Sequence, residues 1–108
     1  MNKFLVMIEG KNCLMHRPSK KCGFSIFLPK KKPRKFGFFA TRFATANAAS
    51  EAGETVIRLV ELELKSQWKI ENIFSDPPVF LVSEIRDASS MKESDVAVKG
   101  FTFYAEAL

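Results

Sequence analysis

In residues 47–66, NAASEAGETVIRLVELELKS, apolar side chains recur at the spacing of an amphipathic α-helix, and the fold class is predicted from this helix outward. Asn47 or Thr45 is expected to cap the start of this helix. Glu51 and Lys65 carry the charges that the helix dipole favours at its two ends. The final VELELK also alternates with period two, as a strand would, but the charged side chains stay in phase with a helix. The buried stripe is predicted to contain Ala49, Ala52, Val56, Leu59, Val60 and Leu64.

Strand patterns precede the helix. Residues 3–8, KFLVMI, are rich in strand-forming types, and we expect this strand to pause at Gly10 and then to resume through CLM. FSIFL, at 24–28, predicts a second strand, and the residues from Phe36 to Thr45 predict a third.

Shorter strand patterns follow the helix. VFLVSEIRD, at 79–87, predicts a strand that begins in the centre of the sheet, and GFTFYAE, at 100–106, alternates like a half-buried strand. A short strand over 68–73 stays open as an alternative. The order β-β-β-α-β-β predicts one α+β domain over residues 1–108. It would have two layers, a mostly antiparallel sheet of four to five strands and one long helix on one face, similar to ferredoxin-like folds.

The composition is that of a water-soluble globular protein, with 46% hydrophobic and 27% charged residues among 108. Two cysteines, Cys13 and Cys22, are too few for a disulfide framework and predict a reducing, cytoplasmic location. The N-terminal residues predict a strand rather than a secretion signal, and no apolar run reaches the roughly 18 residues that span a bilayer. We therefore expect no membrane partner.

The net charge of +5 is divided unevenly along the chain. Residues 1–50 hold eleven Lys and Arg against one acid, whereas residues 51–108 hold six against eleven acids. Such a division is compatible with a partner that carries phosphates or an acidic surface. We favour the simpler interpretation, in which the two halves of one domain complement each other or the charges are solvated.

The most basic segment is PKKKPRKFGFFATRF, at 29–43, where lysines stand beside four phenylalanines. Clustered lysines neutralise phosphate charge, which makes the segment a candidate for binding a nucleic-acid backbone, and it also resembles a nuclear localisation signal. Pro29 and Pro33 favour instead a solvated hairpin turn, followed by Phe38 in the core and Phe39 under a loop on the opposite face. The candidate nucleic-acid-binding residues are Lys30, Lys31, Lys32, Arg34 and Lys35.

Part of this segment, RKFGFFAT, is similar to the signature of RNA-recognition motifs, in which exposed aromatic rings stack on bases. Arg34, Phe36, Gly37 and Phe38 match that signature, whereas Lys35 and Thr41 stand where it has a glycine and an aromatic residue. The fold also needs a helix before this strand, and the preceding residues show no helical period. We therefore do not assign the chain to that family.

Catalytic and metal-binding patterns are sparse. Cys13, His16 and Cys22 are of the residue types that bind zinc, but they supply three ligands where a structural site needs four. We expect reduced cysteines, a surface histidine and no cofactor. The phosphate-loop, nucleophile-elbow and zinc-protease motifs are all missing, which predicts that the protein is not an enzyme. Glu63 falls on the apolar stripe of the helix, and we expect it to reach past the sheet edge or to pair with Arg42.

Three blocks of the sequence together resemble a group of small bacterial proteins of uncharacterised function. The blocks are GFFATRFATA, which leads into the helix, then PPVFLVSEI, and finally GFTFYAE, and they follow the same order over roughly residues 37–106. The lysine-rich insert at 30–35 departs from the simpler turn expected there. The resemblance implies no activity, cofactor or partner, so it adds no functional residue.

These observations predict a non-enzymatic binding or protein-interaction module. A nucleic-acid backbone binder is the alternative, and a small enzyme or metal protein is the least favoured. Exposed strand edges invite self-pairing and predict a homodimer. For a ligand surface, we expect Arg42, Glu84 and Tyr104 to share the solvent side of the sheet.

Overall fold

Two long antiparallel strands form the centre of the sheet. The computed structural model describes residues 2–16, 33–92 and 100–106. In it β1 spans Asn2–Met15 and β2 spans Arg34–Ala46. Their register shifts between Gly10 and Cys13, and Asn12 has a φ of 60° within that shift. The predicted pause after Gly10 is therefore confirmed, as an irregularity inside one continuous strand.

Two further strands flank this pair. Strand β3, Val79–Asp87, pairs with β1, and β4, Thr102–Ala105, pairs with β2, so the described sheet is antiparallel with the order β3-β1-β2-β4. With one helix packed on it, this sheet confirms the predicted α+β class. The predicted central position of 79–87 is wrong, because β3 is an edge strand. The predicted strand at 24–28 lies outside the described residues.

The single described helix, α1, spans Ala49–Gln67, close to the predicted 47–66. Neither Asn47 nor Thr45 caps it, because β2 continues to Ala46 and Ala48 occupies the N-cap position without a side-chain hydrogen bond. Glu51 in the first turn and Lys65 in the last turn are confirmed.

The buried stripe of α1 is turned slightly from its predicted position. Gly53 is buried against β3, where an added Cβ would lie 3.1 Å from Val82, and Leu59 is 41% exposed. Ala49 is also exposed. Because Gly53 lets α1 approach β3 closely, the buried side of the helix is turned toward β3. Leu59 therefore lies at the margin of the buried stripe. The predicted Ala52, Val56, Val60 and Leu64 are buried.

The core lies between α1 and one face of the sheet, with Phe38 of β2 at its centre. The ring of Phe38 lies over Gly10 of β1, where any side chain would overlap it. Phe80, Phe101 and Phe103 surround Phe38, with ring centroids 5.2–6.0 Å away.

The connector from α1 to β3 forms no strand at 68–73. One backbone hydrogen bond, from Glu71 N–H to Leu14 O, joins it to β1. In the described part of the chain, no helix is long and apolar enough to cross a membrane.

Candidate functional site

One face of the sheet packs against α1, and no described helix covers the other face. Residues paired directly across neighbouring strands point to the same side of a sheet, so the register identifies which side chains share the uncovered face. We call these residues the open face. They are Lys3 and Thr45 in one row, Arg86, Leu5 and Phe43 in the next, Glu84, Met7 and Thr41 in a third, Leu81, Glu9, Phe39 and Thr102 in a fourth, and Tyr104 on β4.

The open face is unusually apolar for a sheet surface that faces solvent. Phe39 is 37% exposed and Leu81 is 44% exposed, while Leu5, Met7 and Phe43 are half-buried among their neighbours. An antiparallel sheet with one solvated side normally carries polar residues there. Phe39 and Leu81 flank Glu9 in one row, which makes this part of the face a candidate site of interaction with another molecule.

A shallow cavity of about 210 Å³ interrupts the open face. Leu5 and Met7 of β1, Thr41 of β2, and Glu84 and Arg86 of β3 line it. The Arg86 guanidinium donates to the Glu84 carboxylate at 2.9–3.0 Å, and both side chains are exposed. The hollow thus offers apolar walls and one charged pair, which suits an apolar side chain better than a charged ligand.

Tyr104 reaches across the open face from its edge strand toward the centre. Its ring lies over Gly37, where an added Cβ would overlap it, and its hydroxyl donates to the Glu9 carboxylate at 2.8 Å. Burial, together with this hydrogen bond and the negative charges of Glu9 and Glu106, raises the pKa of Tyr104 to about 12. The Phe39 ring is next, with its centroid 5.7 Å from that of Tyr104. At this end of the open face, Tyr104 and Phe39 therefore form an aromatic surface, and Gly37 leaves the space that the Tyr104 ring occupies.

A group of polar contacts holds the irregular part of β1 beside this surface. The Asn12 N–H donates to Glu106 at 2.7 Å, and the Asn12 side chain donates to Asp76 at 2.8 Å. The Asn72 amide donates to Asn12 O at 2.7 Å. These bonds stabilise the positive φ of Asn12 and join β1 to the α1–β3 connector and to the end of β4, which is a structural role.

The residues of the predicted cysteine and histidine cluster have different surroundings. Cys13 is a free thiol inside the core, and burial with the nearby charge of Glu106 raises its pKa to about 11. His16 is exposed and lies 3.1 Å from Glu71, so the surface histidine is confirmed. Cys22 lies outside the described residues. Within the described ranges, no three His, Cys, Asp or Glu side chains are arranged to hold a metal ion.

The three residues predicted to share the solvent side of the sheet do not do so. Glu84 and Tyr104 are on the open face, at opposite edges, but Arg42 pairs with Val6 on the side covered by α1 and is buried. The expected pairing with Glu63 of the helix is confirmed at 2.9 Å. Arg42 also donates to the carbonyl of Gly100, ahead of β4. It therefore ties α1 and β4 to β2.

The basic segment is only partly described. Arg34 and Lys35, at the start of β2, are both exposed, and Lys30, Lys31 and Lys32 lie outside the described residues. Phe36 and Phe38, the rings that match the RNA-recognition signature, are buried in the core and cannot stack on a base. The core position of Phe38 is confirmed, but Phe39 is exposed rather than covered by a described loop.

The open face was missed from the sequence, although β1 and β2 carry a signal for it. Both strands have apolar residues at odd and even positions, for instance Leu5 and Met7 beside Val6 and Ile8. Such runs are typical of strands that are covered on both faces. The sequence pattern could not indicate that only one face is covered within the described chain.

Comparisons with known proteins supply no relative. No protein-family model, no curated protein and no solved structure matches the chain. The resemblance of the three sequence blocks to a group of small bacterial proteins therefore stays a prediction.

Proposed function

We propose that the protein is a non-enzymatic interaction module that binds a protein partner through the open face. The observation that carries this proposal is the apolar side of the sheet opposite α1, where Phe39 and Leu81 remain substantially exposed. Fully burying such a side chain contributes roughly 1.5–3 kcal/mol, and since Phe39 is 37% and Leu81 44% exposed, covering the part that remains in water contributes roughly 1 kcal/mol each.

The two groups with strongly raised pKa values, Tyr104 on the open face and Cys13 in the core, are not poised for catalysis. The pKa of Tyr104 is raised to about 12 and that of Cys13 to about 11, so both groups keep their protons at neutral pH. A nucleophile or general base works best with a pKa near the working pH. Buried Cys13 also supports our proposal of a reducing cytoplasm, since its unpaired thiol lies in the core.

Site-specific photo-crosslinking in cells tests the proposed surface. A benzophenone amino acid at Phe39 is expected to capture a defined protein, which mass spectrometry would identify. The matched control carries the same group at Phe74, which is fully exposed on the α1–β3 connector. Identical products from both positions, or none from Phe39, would contradict an interaction through the open face.

Nucleic-acid backbone binding is the second candidate. It is favoured by the exposure of Arg34 and Lys35 next to the aromatic end of the open face, and no ion-pair partner of either lies among the described residues. Replacing Lys30, Lys31, Lys32, Arg34 and Lys35 by glutamine should then weaken binding about equally for all sequences and flatten its salt dependence. Fluorescence anisotropy with mixed RNA and DNA at low and near-physiological salt measures this. Binding that vanishes with modest salt, or survives in the glutamine variant, would rule against it.

A further inference from the structure

We infer that the partner is a second copy of this chain, packed open face to open face about a two-fold axis, with Phe39 of each copy in the cavity of the other. This inference rests on the proposed function, because it uses the same surface. The inference extends the proposed function, because it identifies the partner as a second copy and Phe39 as the side chain that anchors it. The assembly differs from pairing of exposed strand edges, because it leaves the hydrogen-bonding edges of β3 and β4 unused.

The uncovered side of the whole sheet, with the open face at its centre, is large enough for a symmetric dimer. The four strands have 14, 13, 9 and 4 residues. With a rise of about 3.3 Å per residue and a strand spacing of about 4.8 Å, the sheet presents roughly 600 Å² on one side. Two such faces bury about 1,200 Å², which is the lower bound for a specific and stable interface. Sheets packed in this way form the core of ordinary β-sandwiches.

The geometry of the face is suited to reciprocal insertion. Phe39 and Thr41 are two residues apart on β2, so their Cα atoms lie about 7 Å apart with both side chains on the same side, and Thr41 lines the edge of the cavity. A two-fold axis between them puts each Phe39 over the other copy's cavity, as an isologous contact requires. The cavity volume of about 210 Å³ is several times the roughly 30 Å³ of one water, which leaves room for an aromatic ring.

The charges on the open face favour a second copy over a polyanion. Glu9 and Glu84 place carboxylates on this face beside the cations Lys3 and Arg86, so its charge is mixed rather than uniformly basic. Glu84 and Arg86 are of opposite charge, exposed, and beside the cavity. In a two-fold assembly, Arg86, which lines the cavity, can lie against the inserted ring. The face is thus complementary to itself in shape.

Sedimentation equilibrium of the purified full chain, over a range from low to high micromolar, tests this assembly. The wild type is expected to form a dimer. Phe39→Asp should raise the dimer Kd by roughly a hundredfold, about tenfold for each ring lost. Leu81→Lys, a second change on the open face, should act in the same direction. Phe74→Asp is the matched control, since it removes an even more exposed phenylalanine elsewhere, and it should leave the dimer intact.

Circular dichroism of each variant checks folding, and Leu81→Lys keeps the test decisive if Phe39→Asp fails to fold. A wild type that stays monomeric, or a dimer that both face variants retain, would overturn the face-to-face assembly. A monomer whose Phe39 position nevertheless crosslinks to another protein would overturn the second copy as partner while leaving the proposed function standing. A monomer without any such crosslink would contradict both.

Discussion

At the scale of single residues, the absence of a side chain at Gly37 shapes the aromatic end of the open face. Tyr104 occupies the space above this glycine, and only there can a ring from the edge strand β4 reach Glu9 on β1 across the intervening strand. Gly10 has the same role on the other side of the sheet, where it accommodates Phe38. Two glycines thus allow one large ring on each face.

Tyr104 is the only tyrosine, so its ionisation can be followed directly by ultraviolet absorbance. We expect a midpoint near pH 12 in the folded protein, because burial and the Glu9 carboxylate both oppose the charged phenolate. Since the folded pKa lies above the ordinary value of 10.0, the stability from this group is fully present below pH 10 and is lost as the pH rises toward 12.

Two variants separate the causes of this shift. Glu9→Gln removes the carboxylate charge and should lower the midpoint toward the ordinary value without unfolding the protein. Gly37→Ala should displace the ring and lower the midpoint as well, while overpacking costs about 1–3 kcal/mol of unfolding free energy. An unshifted midpoint in the wild type would mean that the ring does not lie over Gly37 beside Glu9.

At the scale of elements, α1 begins without a side-chain cap. Ala48 has the extended conformation of an N-cap residue, with φ −144° and ψ 157°, and its carbonyl accepts the first helical bond from the Ala52 N–H at 3.1 Å. Glu51 stands at the third helical position, where a capping box needs an acid or amide side chain. One hydroxyl at position 48 would complete that motif.

Ala48→Ser is therefore expected to stabilise the protein by about 1 kcal/mol, because its side chain can accept from the Glu51 N–H and Glu51 can bond in return. Urea unfolding followed by the fluorescence of the single tryptophan, Trp68, measures the change. Ala49→Ser, one residue later and also exposed, is the control and should give no gain. Equal effects of the two substitutions would argue against Ala48 as the N-cap.

At the scale of the whole molecule, consecutive phenylalanines of β2 have opposite roles. Phe38 is fully buried and touches rings from β3, β4 and the segment before β4, whereas Phe39 lies on the open face. One ring holds the two layers together, and the other belongs to the surface that we propose as an interface.

Phe38→Ala should destabilise the monomer by roughly 3–5 kcal/mol, because it opens a cavity at the centre of the core. Phe39→Ala should cost about 1 kcal/mol or less in the monomer, since part of that ring is already in water. Urea unfolding at low protein concentration, where a dimer would dissociate, compares the two. Similar losses for both would mean that Phe39 belongs to a covered core.

Much of the architecture followed from local patterns in the sequence. The helix, the interrupted first strand, the strand before the helix and the half-buried terminal strand were all predicted, because each depends on the period of its own side chains. The Arg42 and Glu63 pair was also predicted, since an acid on an apolar stripe needs a partner. The predicted cap residues and the predicted central position of β3 were wrong. Caps depend on where neighbouring elements end, and the position of a strand depends on strand order.

The elements and the class of fold follow from the sequence, because periodicity and turn residues act over a few positions. Which side of the sheet α1 covers depends on tertiary packing, which places Arg42 under the helix while Tyr104 and Glu84 face outward. A one-residue change of register would exchange the two faces of a strand, and register comes from pairing between distant segments. The open face is a product of that pairing, which no local pattern specifies.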